Sequence, residues 1–143
     1  MTGESLPSQD HTARYCPRSR LLEDGTVSGT AFYLRPGEQY VSVEWLECLN
    51  QPTRRHEIRM VVGILAQKLR IKASAVIAVT NVGDVCAHVS EASGFQISFV
   101  HEPEPDDPAH SGIYGTDQDE MMIAELIAEK ATESYEVRSF FAG

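Results

Sequence analysis

Between Arg54 and Arg70 the apolar residues Ile58, Val61, Val62, Leu65 and Leu69 recur at i, i+3, i+4, i+7 and i+11, a single helical stripe. A helix apolar along one stripe has to lay it on another element. The neighbouring segments are short, β-branched and aromatic, so the natural cover is a sheet, and the chain reads as α+β. Thr53 is placed to cap this helix, and Arg55, Arg59, Gln67 and Lys68 fall off the stripe as a basic outer face.

The remaining elements follow from local pattern. Val27 to Leu34 (VSGTAFYL) reads as a strand, and Arg35-Pro36-Gly37-Glu38 as a type II turn. Tyr40 to Trp45 (YVSVEW) then alternates as its partner in an N-terminal hairpin. Trp45 to Asn50 suits one helical turn. Ala73 to Thr80 (ASAVIAVT) is a buried strand, Val82, Val85, Cys86 and Val89 mark a short helix ended by Ser93-Gly94, and Phe95 to His101 (FQISFVH) is a further strand. Strand, helix and strand at this spacing suggest a βαβ-like unit, and therefore a small mixed sheet. Asp117 to Ser134 reads as a C-terminal helix with Met122, Ile123, Leu126 and Ile127 on its buried side, capped by Thr116 or Asp117. The polar start suggests a mobile N-terminal tail over 1–13, one domain over 14–134 and a C-terminal tail over 135–143.

At 143 residues with 42% apolar content the chain can close one core. No window approaches the roughly 20 apolar residues of a membrane helix, and MTGESLPSQDHTAR lacks a secretory h-region, so the expected setting is cytoplasmic with no membrane partner. Cys16, Cys48 and Cys86 are odd in number and form no CxxC, which fits neither a disulfide framework nor a zinc finger. No P-loop, GxSxG or HExxH occurs, and no cofactor is expected.

Charge is distributed unevenly. The formal net charge of -9 disfavours nonspecific nucleic-acid binding, which needs surplus Lys and Arg to displace counterions. Residues 73–143 hold only Lys130 and Arg138 against thirteen acids, an acidic surface suited to a basic protein partner. Glu125, Glu129 and Glu133 on the terminal helix are the partner-binding candidates. Arg14, Arg18 and Arg20 around Tyr15, with Arg54, Arg55 and Arg59, would form a nucleic-acid patch if they met in space.

HEPEPDDPAHSGIYG, residues 101–115, carries two histidines, four acids and three prolines. His101, Asp107 and His110 are its candidates for a catalytic group, a histidine acting as base and an acid orienting it. His101 and His110 are its candidate metal ligands. Three prolines stiffen the stretch, so a rigid acidic connector is the competing expectation.

Two separated pieces, EDGTVSGTAFYLRPGEQYVSVEW and GFQISFVHEPEPDDPAHSGIYG, resemble a group of small uncharacterised bacterial proteins. Their pattern is a D-G-x-V-S-S-x-A-F strand, a short L-S-V strand, and a later strand leading into D-x-P-A-H and a helix. Here Gly29 replaces the second serine of the first motif, Val41-Ser42-Val43 stands for the second, and Asp107-Pro108-Ala109-His110 matches the last. The resemblance implies a cytoplasmic bacterial protein, singles out His110 and implies no reaction. The leading expectation is a non-enzymatic accessory protein that binds a larger bacterial partner in a regulatory, toxin–antitoxin or defence system. Its alternatives are a small metal- or ligand-binding enzyme using the His101–His110 loop and a nucleic-acid-binding module.

Overall fold

The computed structural model describes residues 3–141, so the outermost residues of both expected tails lie outside the described residues. It is an α+β fold of six strands and three α-helices. In chain order these are β1 (His11–Cys16), β2 (Val41–Trp45), α1 (Arg54–Lys68), β3 (Val76–Asn81), α2 (Val82–Ser93), β4 (Ser98–His101), β5 (His110–Tyr114), α3 (Glu120–Glu129) and β6 (Glu133–Glu136). The strands form one sheet in the order β4-β5-β2-β1-β3-β6, and every neighbouring pair is antiparallel.

Each face of the sheet has its own core. Ile58, Val61, Val62 and Leu65 of α1 pack on Ala13, Ile77 and Val79. On the opposite face Val85 and Val89 of α2 and Ile123 and Ile127 of α3 pack with Val41, Val43 and Ile113. The α1 stripe is therefore buried as the periodicity requires, and Thr53 accepts a hydrogen bond from the His56 amide as its N-cap. Asn81 caps α2, and Gly94 ends it in a left-handed conformation at φ 80°. Asp119, rather than Thr116 or Asp117, caps α3. The first turn of the expected C-terminal helix is a separate 3-10 turn, Thr116–Gln118.

Several expectations need correction. Val27 to Leu34 is not a strand: Gly29–Phe32 forms a 3-10 turn capped by Ser28, which drives Ala31 and Phe32 into the core. Gly29 lies so close to α3 that a Cβ there would sit 3.1 Å from the Glu125 backbone. The Arg35–Glu38 turn does form, with Gly37 at φ 86°, but it joins no hairpin. Burial against α3 overrides the local β-propensity of this segment.

Nor do residues 3–13 form a free tail, because β1 lies inside the sheet between β2 and β3. Its polar residues are satisfied by remote partners: Thr12 shares a hydroxyl hydrogen bond with Thr80, and His11 bonds Glu47. Ahead of it, Gly3 and Leu6 donate backbone N–H groups to His101 and Phe99, covering the outer edge of β4. The sheet is not mixed. β3 and β4 are not neighbours in it, so α2 links separate halves of the sheet and makes no adjacent parallel pair. At the C-terminus the expected helix stops at Glu129, and its last two residues with the start of the expected tail form a strand: Glu133–Glu136 pairs with β3, and Val137 and Phe140 are buried. Met122 is 44% exposed, because the α3 face turned inward is Ile123, Ala124 and Ile127.

A cavity where the sheet splits

β1 pairs with β3 at six positions but with β2 at only two, Thr12↔Trp45 and Ala13↔Glu44. Beyond Ala13 the two strands part, and the Arg14 side chain occupies the gap. Its Nε donates to the Ala31 carbonyl at 2.9 Å and its Nη1 to the Ser42 carbonyl at 2.7 Å. The second bond satisfies a β2 carbonyl that strand pairing would otherwise serve, and the first ties β1 to the Gly29–Phe32 turn.

A cavity of about 230 Å³ opens at this split. Its floor is Ala13, Tyr15, Ser42 and Glu44 of the sheet, its roof Leu65 and Lys68 of α1 with Leu69 behind them, and its mouth Arg35, Glu38, Glu104 and His110. A second, more open cavity of about 310 Å³ adjoins it, lined by Gly37, Gln39 and Tyr40 and sharing Glu38, Ser42, Glu104 and His110 with the first.

The stretch 101–115 builds one wall. It is a β4–β5 hairpin whose connection closes on two reciprocal backbone bonds between Glu104 and Asp107, both 3.0 Å. The His110 amide donates back to the Asp107 carbonyl at 3.1 Å, so the match to D-x-P-A-H is a hydrogen-bonded turn that leads into a strand. Lys68 clasps this turn to the end of α1, with Nζ 2.7 Å from Glu104 Oε1 and 3.0 Å from Asp107 Oδ2. Burial works against the Lys68 charge, but hydrogen bonds to the two carboxylates hold it above the usual lysine range. Lys68 therefore points into the site and is not part of the expected basic outer face.

His110 is 6% exposed. Its Nδ1 lies 2.9 Å from the Glu102 carbonyl, which fixes the N–H there and leaves Nε2 as acceptor for the Ser42 hydroxyl at 3.3 Å. Tyr40 covers the outer end, its ring centroid 5.8 Å from that of His110 and 5.1 Å from that of Tyr114. Gly112 makes this possible, because a Cβ there would fall 2.2 Å from the Tyr40 ring.

Behind the wall lies an acid pair. Glu44 is 4% exposed and Asp107 fully buried, and Glu44 Oε1 and Asp107 Oδ1 are both left without a hydrogen-bond donor. Burial first, then a hydrogen bond to Asp107 and its charge, push the Glu44 carboxyl far above the usual carboxylate range. A proton kept on this pair, in the direction the burial pushes, would let Glu44 donate to Asp107 and give both orphaned oxygens a partner.

The candidates from the sequence separate accordingly. His110 and Asp107 belong to this wall, but His101 does not. Strand alternation puts His101 on the other face of the sheet, against Trp45 at 4.9 Å between centroids, with Nε2 donating to the Pro108 carbonyl at 2.7 Å. His101 and His110 cannot converge on a metal, and among the described residues no cluster of three or more His, Cys, Asp or Glu side chains could hold one. Nor can His101, Asp107 and His110 act as one catalytic trio.

The arginines do not gather either. Arg14 lies at the cavity beside the end of α1, while Arg54, Arg55 and Arg59 lie in its first turns, about 14–21 Å before Lys68 along the helix axis. Arg54 is paired to Glu57 at 2.6 Å and Glu133 at 3.1 Å, and Arg55 stacks 4.6 Å over the Phe140 ring. Arg18 and Arg20 sit on an exposed 3-10 turn. Among the acidic candidates, Glu129 is paired with His88 at 2.7 Å, Glu133 with Arg54, and Glu125 packs on Gly29.

Sequence reasoning missed Ser42, Glu44, Lys68 and Glu38 as site residues and took Arg14 for part of a surface patch. The available signal was a charge in phase with the buried Thr12 and Cys16 of a strand, at Arg14; Glu44 falls in the polar phase with Tyr40 and Ser42 and carried no such signal. Among the described residues no helix is long and apolar enough to cross a membrane. Comparison with known proteins returned no match, whether to a family model, a curated protein or a solved structure.

Proposed function

We propose that the chain is a binding protein for a small polar molecule, held in the cavity between β1 and β2. The observation that supports it is Arg14: a half-buried guanidinium lining the cavity, held by two backbone carbonyls and with no carboxylate within ion-pair distance among the described residues. A partly desolvated charge without a counter-ion at a cavity is a ready partner for an anionic group. The hydroxyl, imidazole and neutral acid around it, Ser42, His110 and Glu44, supply both donors and acceptors to orient an occupant. Native mass spectrometry of the chain purified from its own host tests the reading. A small-molecule adduct that disappears in Leu69→Trp, which puts a larger side chain into the cavity from its roof, is the expected result; a bare chain in both would refute it.

A second reading is docking of a larger protein on α3, consistent with an accessory role. Met121 is 73% and Met122 44% exposed beside Glu125, an apolar pair inside an acidic surface. Pull-down from host lysate that is lost in Met121→Lys, with an unchanged fold, is the outcome this reading requires.

A further inference from the structure

Resting on the cavity reading above, we infer that the occupant is a small zwitterion, its carboxylate on Arg14 and its cationic group at the rim between Glu38 and Glu104. The argument starts from donors. A guanidinium has five N–H bonds, and the backbone carbonyls of Ala31 and Ser42 take two of them. The rest remain for an anion, and a planar carboxylate matches the fork of a guanidinium. Lys68 is not a competing anion site, because Glu104 and Asp107 already hold it.

The rim excludes a more highly charged ligand. Glu38 and Glu104 line both the deep and the outer cavity, so a phosphate or dicarboxylate seated at Arg14 would bring added negative charge against two carboxylates. Those same acids, with the face of Tyr40 next to them, favour a cation at the outer end. With Glu44 neutral, Arg14, Arg35 and Lys68 balance Glu38, Glu104 and Asp107. The balance counts the buried Asp107 that holds Lys68; along the cavity itself Arg14 lies at the deep end and two carboxylates at the rim beside Arg35, an arrangement that complements a molecule that is itself dipolar. Its size points the same way, since the deep cavity of about 230 Å³ is smaller than the ~300–1,000 Å³ of pockets that hold drug-sized ligands.

The test is calorimetric titration of the full chain with L-α-amino acids and with ω-amino acids from 3-aminopropanoate to 6-aminohexanoate. Hexanoate, hexylamine and inorganic phosphate serve as singly functional controls. At least one zwitterion should bind tenfold or more tightly than hexanoate and hexylamine. Glu104→Gln, which keeps a hydrogen-bonding group beside Lys68 but removes the rim charge, should erase most of the preference of the zwitterion over hexanoate. Arg14→Gln should abolish binding of both, and the Glu104 variant keeps the test valid if Arg14→Gln does not fold. Equal or tighter binding of hexanoate or phosphate would overturn the zwitterion, as would binding by none of the probes. In either case an adduct from the host that is lost in Leu69→Trp would leave the cavity reading standing, whereas its absence would remove both.

Discussion

Glu44→Gln should make the protein more stable, and by an amount that grows with pH. In the unfolded chain Glu44 ionises near 4.5, whereas in the fold it keeps its proton against Asp107. A carboxyl whose folded pKa is raised contributes its full stability below the unfolded value and loses it progressively as pH rises toward the folded one. Between pH 5.5 and 8.5, both above the unfolded value, each pH unit removes about 1.4 kcal/mol, or about 4 kcal/mol over the interval. A glutamine amide donates to Asp107 without taking up a proton and escapes this loss. Urea unfolding of both proteins at the two pH values is the assay, and the variant's advantage should be larger at pH 8.5 by about 4 kcal/mol. Taking the difference between proteins cancels the titration of every group the substitution leaves alone. The proton belongs to the Glu44 and Asp107 pair, so the result holds whichever oxygen carries it. An advantage that does not change with pH would show that the pair holds no proton and would refute the reasoning.

Lys68→Met should destabilise the fold by about 2–4 kcal/mol, since it strands the fully buried Asp107 charge and frees the 104–107 turn from α1; chemical denaturation checks it. Gly112→Ala forces the Tyr40 ring away from β5 and should cost about 1–3 kcal/mol, with a change in near-ultraviolet circular dichroism from the displaced tyrosine. Zinc or nickel at stoichiometric concentration should leave the melting temperature unchanged, because His101 and His110 lie on opposite faces; a rise of several degrees would contradict the strand register.

What the sequence made legible was what local pattern controls. The α1 stripe, its Thr53 cap, the Gly94 stop and the buried phase of β3 each follow from residues a few positions apart, and each is found. β1 was invisible for the opposite reason. HTARYC looks polar because the groups that satisfy it, Glu47 for His11, Thr80 for Thr12 and the Ala31 and Ser42 carbonyls for Arg14, lie far off in sequence. The segment around Phe32 misled by propensity, since packing on α3 outweighs a preference for extended backbone. The site was half legible: His110 and Asp107 stood out by composition. Which face each histidine takes depends on strand register, and the turn between Glu104 and Asp107 sets it through contacts that residue types alone do not encode.

The scarcity of pairing between β1 and β2 also has a mechanical side. The sheet amounts to two three-stranded ribbons, β4-β5-β2 and β1-β3-β6, stitched by two ladder positions and one arginine side chain. The cavity is lined by Arg14 and Tyr15 of one ribbon and Ser42 and His110 of the other, so the proposed occupant would bridge the seam. Filling the site would then stiffen the joint between the two halves of the molecule. The sign of that stiffening is slower amide exchange along Val41 to Val43, which reads the same whatever the chemical identity of the occupant.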